Sequence, residues 1–365
     1  MARRSIALVV VFLIAFAPAR GQVKPLRLAI AGLVHGHVSG FLRDARTRTD
    51  VEIVGIYDPS TALHRKYSQS SDLRSDLFFS DLASMLDRVK PEGIASFTST
   101  LDHPMVVEAA AARHIPVMME KPLAVSTADA QRIQRAAARA AVPVFVNYET
   151  TWYANHGAIW SMFKEKKSAG EIRKMVALDG HQGPKKINVQ PEFFEWLTDP
   201  VKNGAGALFD FGCYGANLMT WLMDNRRPVA VTAVTQQFQP ATYSRVDDEA
   251  TILVEYPTAQ GIIQASWNWP VNRKDFEVYG ERGFAVATTG GASLRVGGPN
   301  ARDHIVSPAA LPPDEQDSIS HFIAVVRRLR KPNGLSSLEN NIIVTEILEA
   351  ARESAKTRRR VSLAP

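Results

Sequence analysis

The amino-acid sequence predicts an α/β protein with two domains: a doubly wound parallel sheet, then an α+β domain with a large, mostly antiparallel sheet. Strand-like and helical segments alternate from residue 26 to about residue 147, and this order specifies a parallel sheet with right-handed crossovers. Several long strand-like runs then follow one another without helices between them, as in an antiparallel sheet. The length of 365 residues suits two domains, because a single core stops growing at roughly 250–300 residues.

The first domain is predicted for residues 22–147 and consists of short apolar strands with helices between them. Runs that are apolar throughout indicate strands buried on both faces, as in a Rossmann-type sheet. Pro104 and the capping pair Ser126/Asp129 indicate where two of the helices begin. The strands are predicted at Leu26–Gly32, Val51–Tyr57, Gly93–Thr98, Ile115–Met119 and Val144–Val146.

The second domain is predicted for residues 148–338, and residues 339–365 for a C-terminal helix and tail that pack back on the first domain. Ile263, Trp267 and Trp269 share one face of the predicted sheet by their period-two spacing. A partner subunit would cover this face, so we expect a homo-oligomer; a solvated face with scattered aromatic residues is the alternative. A helix is predicted over Ala207–Met223, and strands at Val229–Phe238, Thr251–Tyr256, Gly261–Trp269 and Phe276–Ala287.

Residues 1–21 have the pattern of an export signal. Arg3 and Arg4 precede the apolar run Ile6–Ala17, and Ala17-Pro18-Ala19 matches a small-residue cleavage site. The run is shorter than the ~20 residues that span a bilayer. We therefore expect a cleaved signal and a periplasmic or secreted protein, rather than an uncleaved anchor. The arginine pair permits the twin-arginine route as well as the Sec route.

The composition argues against two classes of function. The net charge of +6 falls to +3 without the three arginines of residues 1–21. No basic stripe is interleaved with aromatic residues, so nucleic-acid binding is not expected. The nine histidines show no metal-ligand spacing with cysteine or carboxylates, so we expect no metal site. Cys213 is the only cysteine, which excludes an intrachain disulfide.

The turn after the first strand is the first candidate for cofactor binding. A dinucleotide fingerprint places glycine at offsets 0, 2 and 5. This chain keeps Gly32, has Val34 and His37 at the other two offsets, and adds Gly36. The turn opens a helix whose N-terminus can hold a pyrophosphate. We expect cofactor contacts from Gly32, Leu33, Val34, Gly36 and His37, and an ordinary strand-to-helix turn is the alternative.

Asp58 ends the second strand, 26 residues after Gly32. A carboxylate at this place accepts hydrogen bonds from ribose hydroxyls and repels a 2′-phosphate, which favours NAD over NADP. Arg65 and Lys66 keep NADP open. A turn residue before Pro59 is the alternative interpretation of Asp58.

Glu120-Lys121-Pro122 follows the fourth strand at its carboxyl end, where open α/β sheets bind their ligands. A lysine beside a nicotinamide ring can hydrogen-bond a substrate oxygen and stabilise negative charge on it. Glu120 could hold Lys121 in place or contact the nicotinamide ribose. The alternative is a surface ion pair of little energy.

These features together resemble the Gfo/Idh/MocA oxidoreductases. Members carry a Glu-Lys-Pro tripeptide here and a Thr-x-x-x-x-His segment before it, matched by Thr98 and His103. The resemblance runs from Leu26 to about Val361, including the closing helix from Glu339. It implies a nicotinamide-dependent dehydrogenase or reductase of sugars, polyols or related alcohols. It also implies that His103, Glu120 and Lys121 line the nicotinamide side of the cleft, and we expect Thr98 to contact the cofactor as well.

Asp210, Tyr214 and Asn217 share one face of the predicted helix over Ala207–Met223 by their spacing. Many family members have Asp-x-Gly-x-His-x-x-Asp here, and this chain has Tyr214 and Asn217 at the last two positions. The tyrosine resembles the glucose–fructose oxidoreductase and dihydrodiol dehydrogenase branch. Tyr214 could act as the general acid/base if the Lys121 charge lowers its pKa. A buried tyrosine with a satisfied hydroxyl is the alternative.

Substrate contacts are expected from Tyr148 and Trp152 after the fifth strand, from His181 at a strand-to-loop transition, and from Asn217. Polar groups interleaved with aromatic rings suit a carbohydrate, although each residue could equally be a satisfied loop residue. We thus expect hydride transfer between nicotinamide C4 and a substrate carbon, with Lys121 polarising the oxygen and Tyr214 relaying the proton. Export implies a tightly bound cofactor. NAD-dependent glycosidase chemistry and a non-catalytic sugar- or nucleotide-binding protein remain alternatives.

Overall fold

The computed structural model describes residues 24–299, 301–332 and 334–363. The predicted export signal, residues 1–21, lies outside the described residues. Among the described helices, none is both long enough and apolar enough to cross a bilayer.

The first sheet is parallel throughout and has the strand order β3-β2-β1-β4-β5-β6. Its strand order reverses between β1 and β4, so a crevice forms there at the carboxyl ends of the strands. The two-residue strand β3 was not predicted, because a pair of residues has no detectable periodicity. The strands are β1 (Leu26–Ala31), β2 (Val51–Tyr57), β3 (Phe78–Phe79), β4 (Gly93–Ser96), β5 (Val117–Glu120) and β6 (Val144–Asn147).

Five helices connect these strands, and side chains that the sequence offers as caps begin three of them. Ser60, Asp81 and Ser126 accept hydrogen bonds from backbone N–H groups in the first turns. Each such cap contributes about 1 kcal/mol. The helices are α1 (Val38–Arg46), α2 (Thr61–Ser70), α3 (Leu82–Val89), α4 (His103–Ala111) and α5 (Thr127–Ala140).

The second sheet has nine strands in the order β14-β13-β12-β11-β7-β10-β9-β8-β15. Only the β7–β10 pair is parallel among the described pairs, so the prediction of a mostly antiparallel sheet is confirmed. The run predicted at Phe276–Ala287 is two strands joined by a turn. The strands are β7 (Ile172–Gly180), β8 (Ala230–Gln236), β9 (Glu249–Glu255), β10 (Gln260–Ser266), β11 (Arg273–Gly280), β12 (Phe284–Ala287), β13 (Leu294–Gly298), β14 (Ala301–Val306) and β15 (Val361–Ser362).

The helices of the second half pack on both sheets. The single helix predicted over Ala207–Met223 is wrong, because the backbone breaks at Phe211 between two shorter helices. The helices of this second half are α6 (Ala154–Trp160), α7 (Pro191–Leu197), α8 (Pro200–Asn203), α9 (Ala207–Asp210), α10 (Gly212–Leu222), α11 (Ser318–Val326) and α12 (Leu338–Thr357).

Helices of the same chain cover the face of the second sheet that was predicted to bind a partner subunit. Ile263 and Trp267 are fully buried. Ile263 packs against Gly215 of α10, and Trp267 hydrogen-bonds Asp210 of α9. The argument for an oligomer from these residues is therefore wrong. The opposite face carries Val234 and Ile262, which are exposed.

The last two helices lie at the junction of the domains. Phe322 of α11 contacts Phe145 in β6 and fills the space beside Gly93 in β4, so this part of the range 148–338 packs on the first sheet. Glu349 of α12 accepts a hydrogen bond from the Thr127 N–H at the start of α5.

Candidate active site

Lys121 lies at the carboxyl end of β5 with its ammonium group buried between the two domains. Its side chain is 6% exposed, and Nζ donates to the Asp210 carboxylate Oδ1 at 2.6 Å and to the Asp210 main-chain oxygen at 2.8 Å. An ammonium group has three N–H donors. Two are therefore fixed on Asp210, and the third remains for another acceptor.

Asp210 is held from its other side by Trp267. The indole N–H of Trp267 donates to Oδ2 of Asp210 at 2.9 Å. Burial raises the pKa of Asp210, but the Lys121 charge lowers it more, and the pKa ends below its ordinary value. Burial lowers the pKa of Lys121, but the Asp210 charge offsets this and leaves that pKa above its ordinary value. Both groups are therefore charged at neutral pH.

Tyr214 lies beside this ion pair. Lys121 Nζ is 5.0 Å from the centre of the Tyr214 ring, so the ammonium group contacts the aromatic face. A base at this position needs a lowered pKa, but burial raises the pKa of Tyr214 well above its ordinary value. The nearby Glu149 carboxylate adds to this rise. The phenol is therefore protonated at neutral pH and can donate a proton or a hydrogen bond.

A second ammonium group, which the sequence did not indicate, approaches the same ring. Lys274 of β11 places Nζ 5.4 Å from the centre of the Tyr214 ring and 2.8 Å from Glu149 Oε2. The Tyr153 hydroxyl donates to the other oxygen of Glu149. Nothing in the local sequence around Lys274 distinguishes it from an ordinary strand lysine, so only the folded sheet reveals its position.

Asp179 is the cross-strand neighbour of Lys274 in the β7–β11 pair. Its side chain is buried, and Oδ2 has no hydrogen-bond partner within the described part of the chain. Burial raises the pKa of Asp179 well above its ordinary value. An unsatisfied buried carboxyl oxygen costs free energy unless a ligand or water bonds it.

His181, one of the predicted substrate residues, lies at the same centre. Its ring packs edge-on against Phe211 at 4.8 Å, and its Nδ1 accepts from the Gly183 N–H. Burial lowers the pKa of His181 to about 4, so the imidazole is neutral at neutral pH. The charges that influence it include Asp210 and Lys121.

Tyr148 and Asn217, two of the predicted substrate residues, are more deeply buried than Lys121. Tyr148 is fully buried behind Tyr214, with the two rings edge to face at 5.5 Å. Asn217 is also fully buried and donates to the Leu335 main-chain oxygen at 2.8 Å. Asn217 lies about one turn beyond Tyr214 in α10, and its amide donates to Asn341 of α12 at 3.2 Å. The Tyr148 hydroxyl and the Asn217 Oδ1 have no hydrogen-bond partner among the described residues, and substrate contact from both residues stays a prediction.

The dinucleotide turn is built around Gly32 and Asp58. Gly32 has φ +90°, and a Cβ there would collide with the Thr98 backbone nitrogen at 2.6 Å, so only glycine fits. Asp58 is buried and accepts from the Leu33 N–H through Oδ2 and from the Ser60 N–H through Oδ1, both at 2.8 Å. Each carboxylate oxygen keeps acceptor capacity for a ribose hydroxyl.

Helix α7 of the second domain lies across this turn. The Trp196 indole N–H donates to the Val34 main-chain oxygen at 3.1 Å. Phe193 packs against Gly36 and stands 4.9 Å from the His35 ring. A pyrophosphate at the turn would therefore share this space with α7 or displace it.

Glu120 links the turn to the end of the sheet. It accepts from Asn147 Nδ2 at 2.8 Å and pairs with His37 Nδ1 at 3.0 Å, so Asp210 rather than Glu120 holds Lys121. Burial alone would raise the pKa of Glu120, but His37 lowers it to about 2. Trp152, another predicted substrate residue, donates to Asn147 Oδ1 at 2.9 Å and is half-buried.

His35, His37 and Glu120 have side-chain ligand atoms within 4.8 Å of one another, a grouping that the expectation of no metal site overlooked. The His-x-His spacing was present in the sequence, but Glu120 joins it only in the folded protein. Glu120 is already paired with His37, and His35 Nδ1 accepts from the His37 N–H at 3.2 Å. These contacts account for the grouping as an electrostatic link between the turn and β5.

The residues present fit a nicotinamide dinucleotide at both ends. Asp58 is available at the ribose end beyond β2, while Glu120 and Lys121 lie at the nicotinamide end beyond β5. His103 adds an unpartnered polar atom: its Nδ1 bonds the Leu123 main-chain oxygen at 3.1 Å, but its buried Nε2 has no partner among the described residues. A bound carboxamide or an ordered water would satisfy it.

Two family models match the chain. The model described as "Oxidoreductase family, NAD-binding Rossmann fold" matches residues 26–148. The model described as "GFO/IDH/MocA C-terminal domain" matches residues 163–286. Both belong to one family, and together they cover about two thirds of the chain. No curated protein matches the sequence.

Solved structures share the fold over most of the chain. An aldose-aldose oxidoreductase from Caulobacter crescentus, complexed with glycerol, aligns with TM-score 0.77 and 19% identity, covering 93% of this chain and 100% of that chain. An inositol dehydrogenase homolog from Azotobacter vinelandii, complexed with NAD+, aligns with TM-score 0.79 and 18% identity over 93% and 98%. An oxidoreductase from Agrobacterium radiobacter, in complex with NAD+, L-tartaric acid and magnesium, aligns with TM-score 0.75 and 21% identity over 92% and 98%. At these identities the likeness shows the fold.

Proposed function

Because the chain belongs to the Gfo/Idh/MocA oxidoreductase family, whose first domain is an NAD-binding Rossmann fold, we propose that it transfers hydride between a nicotinamide dinucleotide and a sugar, polyol or related alcohol. The observation that carries the proposal is the buried ammonium group of Lys121, fixed by Asp210 and lying against Tyr214. A bound nicotinamide supplies the hydride donor or acceptor.

Lys121 binds the oxygen of the reacting carbon. Two of its N–H donors are fixed on Asp210, and the third is free to point at the substrate. Its charge stabilises the alkoxide character that develops on this oxygen during hydride transfer, and burial strengthens that effect. Asp210 keeps the ammonium group charged and oriented.

Tyr214 moves the proton. Its phenol is protonated at neutral pH, so both Tyr214 and Lys121 present donors to the substrate oxygen, which suits reduction of a carbonyl. Oxidation of an alcohol requires the opposite transfer, from the substrate hydroxyl to a phenolate at Tyr214. The two directions should therefore differ in their pH dependence.

The polar groups around the ring fit a polyhydroxylated substrate. Lys274 and Glu149 lie on one side of Tyr214, while Asp179 and His181 offer a buried carboxyl and a neutral imidazole. Hydroxyl groups both donate and accept, so they match such a mixed set. Two of the structurally similar proteins bear the names of an aldose oxidoreductase and an inositol dehydrogenase homolog, which supports this substrate class.

We further propose that the cofactor is NAD, because the buried Asp58 carboxylate disfavours a 2′-phosphate. Export guided by residues 1–21 would require this cofactor to stay tightly bound.

We also propose that the protein forms an oligomer through the outer face of the second sheet. This face exposes Val234 and Ile262. Light scattering of the purified protein tests the proposal.

The test of the function begins with mass spectrometry of the small molecules released from the natively purified protein. We expect a nicotinamide dinucleotide without a 2′-phosphate. The loaded protein is then offered aldoses and polyols, and the redox state of the nicotinamide is followed. Net oxidation or reduction supports the proposal. Release of a free sugar from a glycoside with no net redox change would instead indicate glycosidase chemistry, and binding without turnover would indicate a non-catalytic protein.

A further inference from the structure

A cavity of about 560 Å³ lies beside α6 and the C-terminal end of α10. Among the described residues, its lining includes none of Lys121, Asp210, Tyr214 and Lys274. Trp221, which lines it, follows Tyr214 by seven residues in α10, about 10 Å along the helix axis. The cavity is therefore separate from the reacting centre, and its volume is in the range of small-molecule sites.

Aromatic side chains form the walls of this cavity. Trp160 and Trp221 stack with ring centres 4.6 Å apart and planes inclined by 17°, so they present a rigid indole platform. Trp152 lies at another side, half-buried. Flat aromatic surfaces of this kind suit the apolar face of a sugar ring.

The polar groups in the cavity are buried and unsatisfied. His321 is 2% exposed, yet neither of its ring nitrogens has a hydrogen-bond partner within the described residues. Nε2 of His156 and Oδ1 of Asn225 are also buried without partners there. Each such atom costs about 1–3 kcal/mol unless something in the cavity bonds it. A polar occupant of the cavity that bonds one of these atoms would remove this cost.

The protonation state of His321 limits what that occupant can be. Burial lowers the pKa of His321 to about 4, so the imidazole is neutral and offers one donor and one acceptor. A hydroxyl group at either nitrogen matches this arrangement, because a hydroxyl can both donate and accept.

The charged groups at the rim of the cavity favour an uncharged ligand. Two of the three carboxylates there, Asp224 and Glu315, are paired with Lys164 and Arg330 at 2.5 and 2.6 Å, and the third, Glu165, is exposed to solvent. An uncharged ligand would leave these pairs intact.

From the stacked indoles, the unsatisfied imidazole and the ion-paired carboxylates Asp224 and Glu315, we propose that this cavity binds one neutral pyranose ring, as a carbohydrate site separate from the catalytic centre. The sugar stacks on the indole platform, and one of its hydroxyls bonds a ring nitrogen of His321. The site does not depend on the chemistry proposed at Lys121. It shares one wall with the catalytic cleft, because Thr151 and Tyr153 line the cavity on the segment that carries Glu149.

The test is isothermal titration of the full-length, NAD-saturated protein with methyl β-D-glucopyranoside and methyl β-D-galactopyranoside. Binding is compared in a His321→Phe variant, which keeps the ring contacts with Trp152 and Phe145 but removes both nitrogens. We expect it to bind the glycoside at least tenfold more weakly than the wild-type protein. His321→Gln, which restores a donor and an acceptor, should recover part of the affinity.

Two matched controls separate this site from the catalytic centre. His304→Phe changes an exposed histidine on β14 and should leave binding unchanged. Lys121→Ala should also keep the binding, so failure of the proposed reaction would not be mistaken for failure of this site. The proposal is overturned if neither glycoside binds at about 10 mM or below, or if the His321→Phe protein, folded by circular dichroism, binds as the wild type does.

Discussion

Two ammonium groups contact the ring of Tyr214 at nearly equal distances, yet the ion pairs that they form differ in their exposure to solvent. Lys121 Nζ is 5.0 Å and Lys274 Nζ 5.4 Å from the ring centre. The inner pair, Lys121 and Asp210, is 6% exposed on both sides. The outer pair is formed by Lys274, 14% exposed, and Glu149, 49% exposed.

This difference indicates a division of labour. A buried charge pair interacts strongly and cannot lose one member cheaply, whereas a partly exposed pair is screened by water and contributes about 0–1 kcal/mol. The inner pair therefore fixes a permanent charge at the reacting oxygen. The outer pair can exchange its partners for substrate hydroxyls at little cost.

The largest expected effect comes from breaking the inner pair with Asp210→Asn. The Lys121 charge then remains buried without its partner, so we expect the free energy of unfolding to fall by about 3–5 kcal/mol. We also expect kcat to fall by about 10²–10³-fold, since the ammonium group loses its orientation. Chemical denaturation and steady-state kinetics measure both. Glu149→Gln is the matched change in the outer pair and should cost less than about 1 kcal/mol; equal losses in the two variants would remove the distinction.

Tyr214→Phe should have the next largest effect. Removal of the hydroxyl abolishes the proton relay but keeps the ring contacts with both lysines, so we expect kcat to fall by about 10²–10⁴-fold with little change in stability. Steady-state kinetics with an aldose or polyol substrate checks this. A variant with nearly full activity would show that another group, such as His181, moves the proton.

The pH dependence sharpens the comparison. Because burial raises the pKa of Tyr214, its phenol is protonated across the neutral range, and the rate of alcohol oxidation should rise with pH as phenolate becomes available. Carbonyl reduction should not rise with pH, because it uses the protonated form. The increase of the oxidation rate with pH should persist in Lys274→Met and disappear in Tyr214→Phe. A flat profile for wild-type oxidation would contradict the role of Tyr214.

The smallest effect is expected for the outer pair. Lys274→Met should raise KM by about tenfold, the loss of one or two substrate hydrogen bonds, and leave kcat within about threefold. Initial rates over a range of substrate concentrations separate the two parameters. A large loss of kcat at unchanged KM would instead make Lys274 part of the reacting centre.

The sequence predicted the parallel sheet of the first domain and the place of Lys121 at a strand end, because both follow from local patterns. Apolar strands and capped helices define the parallel sheet, and ligands bind where such strands end. Lys121 follows β5 directly, so its position could be inferred from the alternation alone.

The second domain contributes through contacts that no local pattern records. Lys274 reaches Tyr214 only because β11 pairs with β7, and α7 crosses the dinucleotide turn from a distant part of the chain. Asn217 contacts Asn341 of α12, 124 residues away along the chain. The lowered pKa that a base at Tyr214 needs is not found, because burial, which a sequence does not display, raises this pKa and the Glu149 carboxylate adds to the rise.

Transfer of deuterium to the nicotinamide tests the role of Lys121 most directly. Aldoses and polyols deuterated at their hydroxyl-bearing carbons are incubated with the NAD-loaded protein, and the label at nicotinamide C4 is measured by mass spectrometry. We predict that the wild-type protein acquires the label and that Lys121→Met acquires it at least about a hundredfold more slowly, while NAD affinity changes little. Equal rates of labelling in the two proteins would contradict the central role of the Lys121 ammonium group.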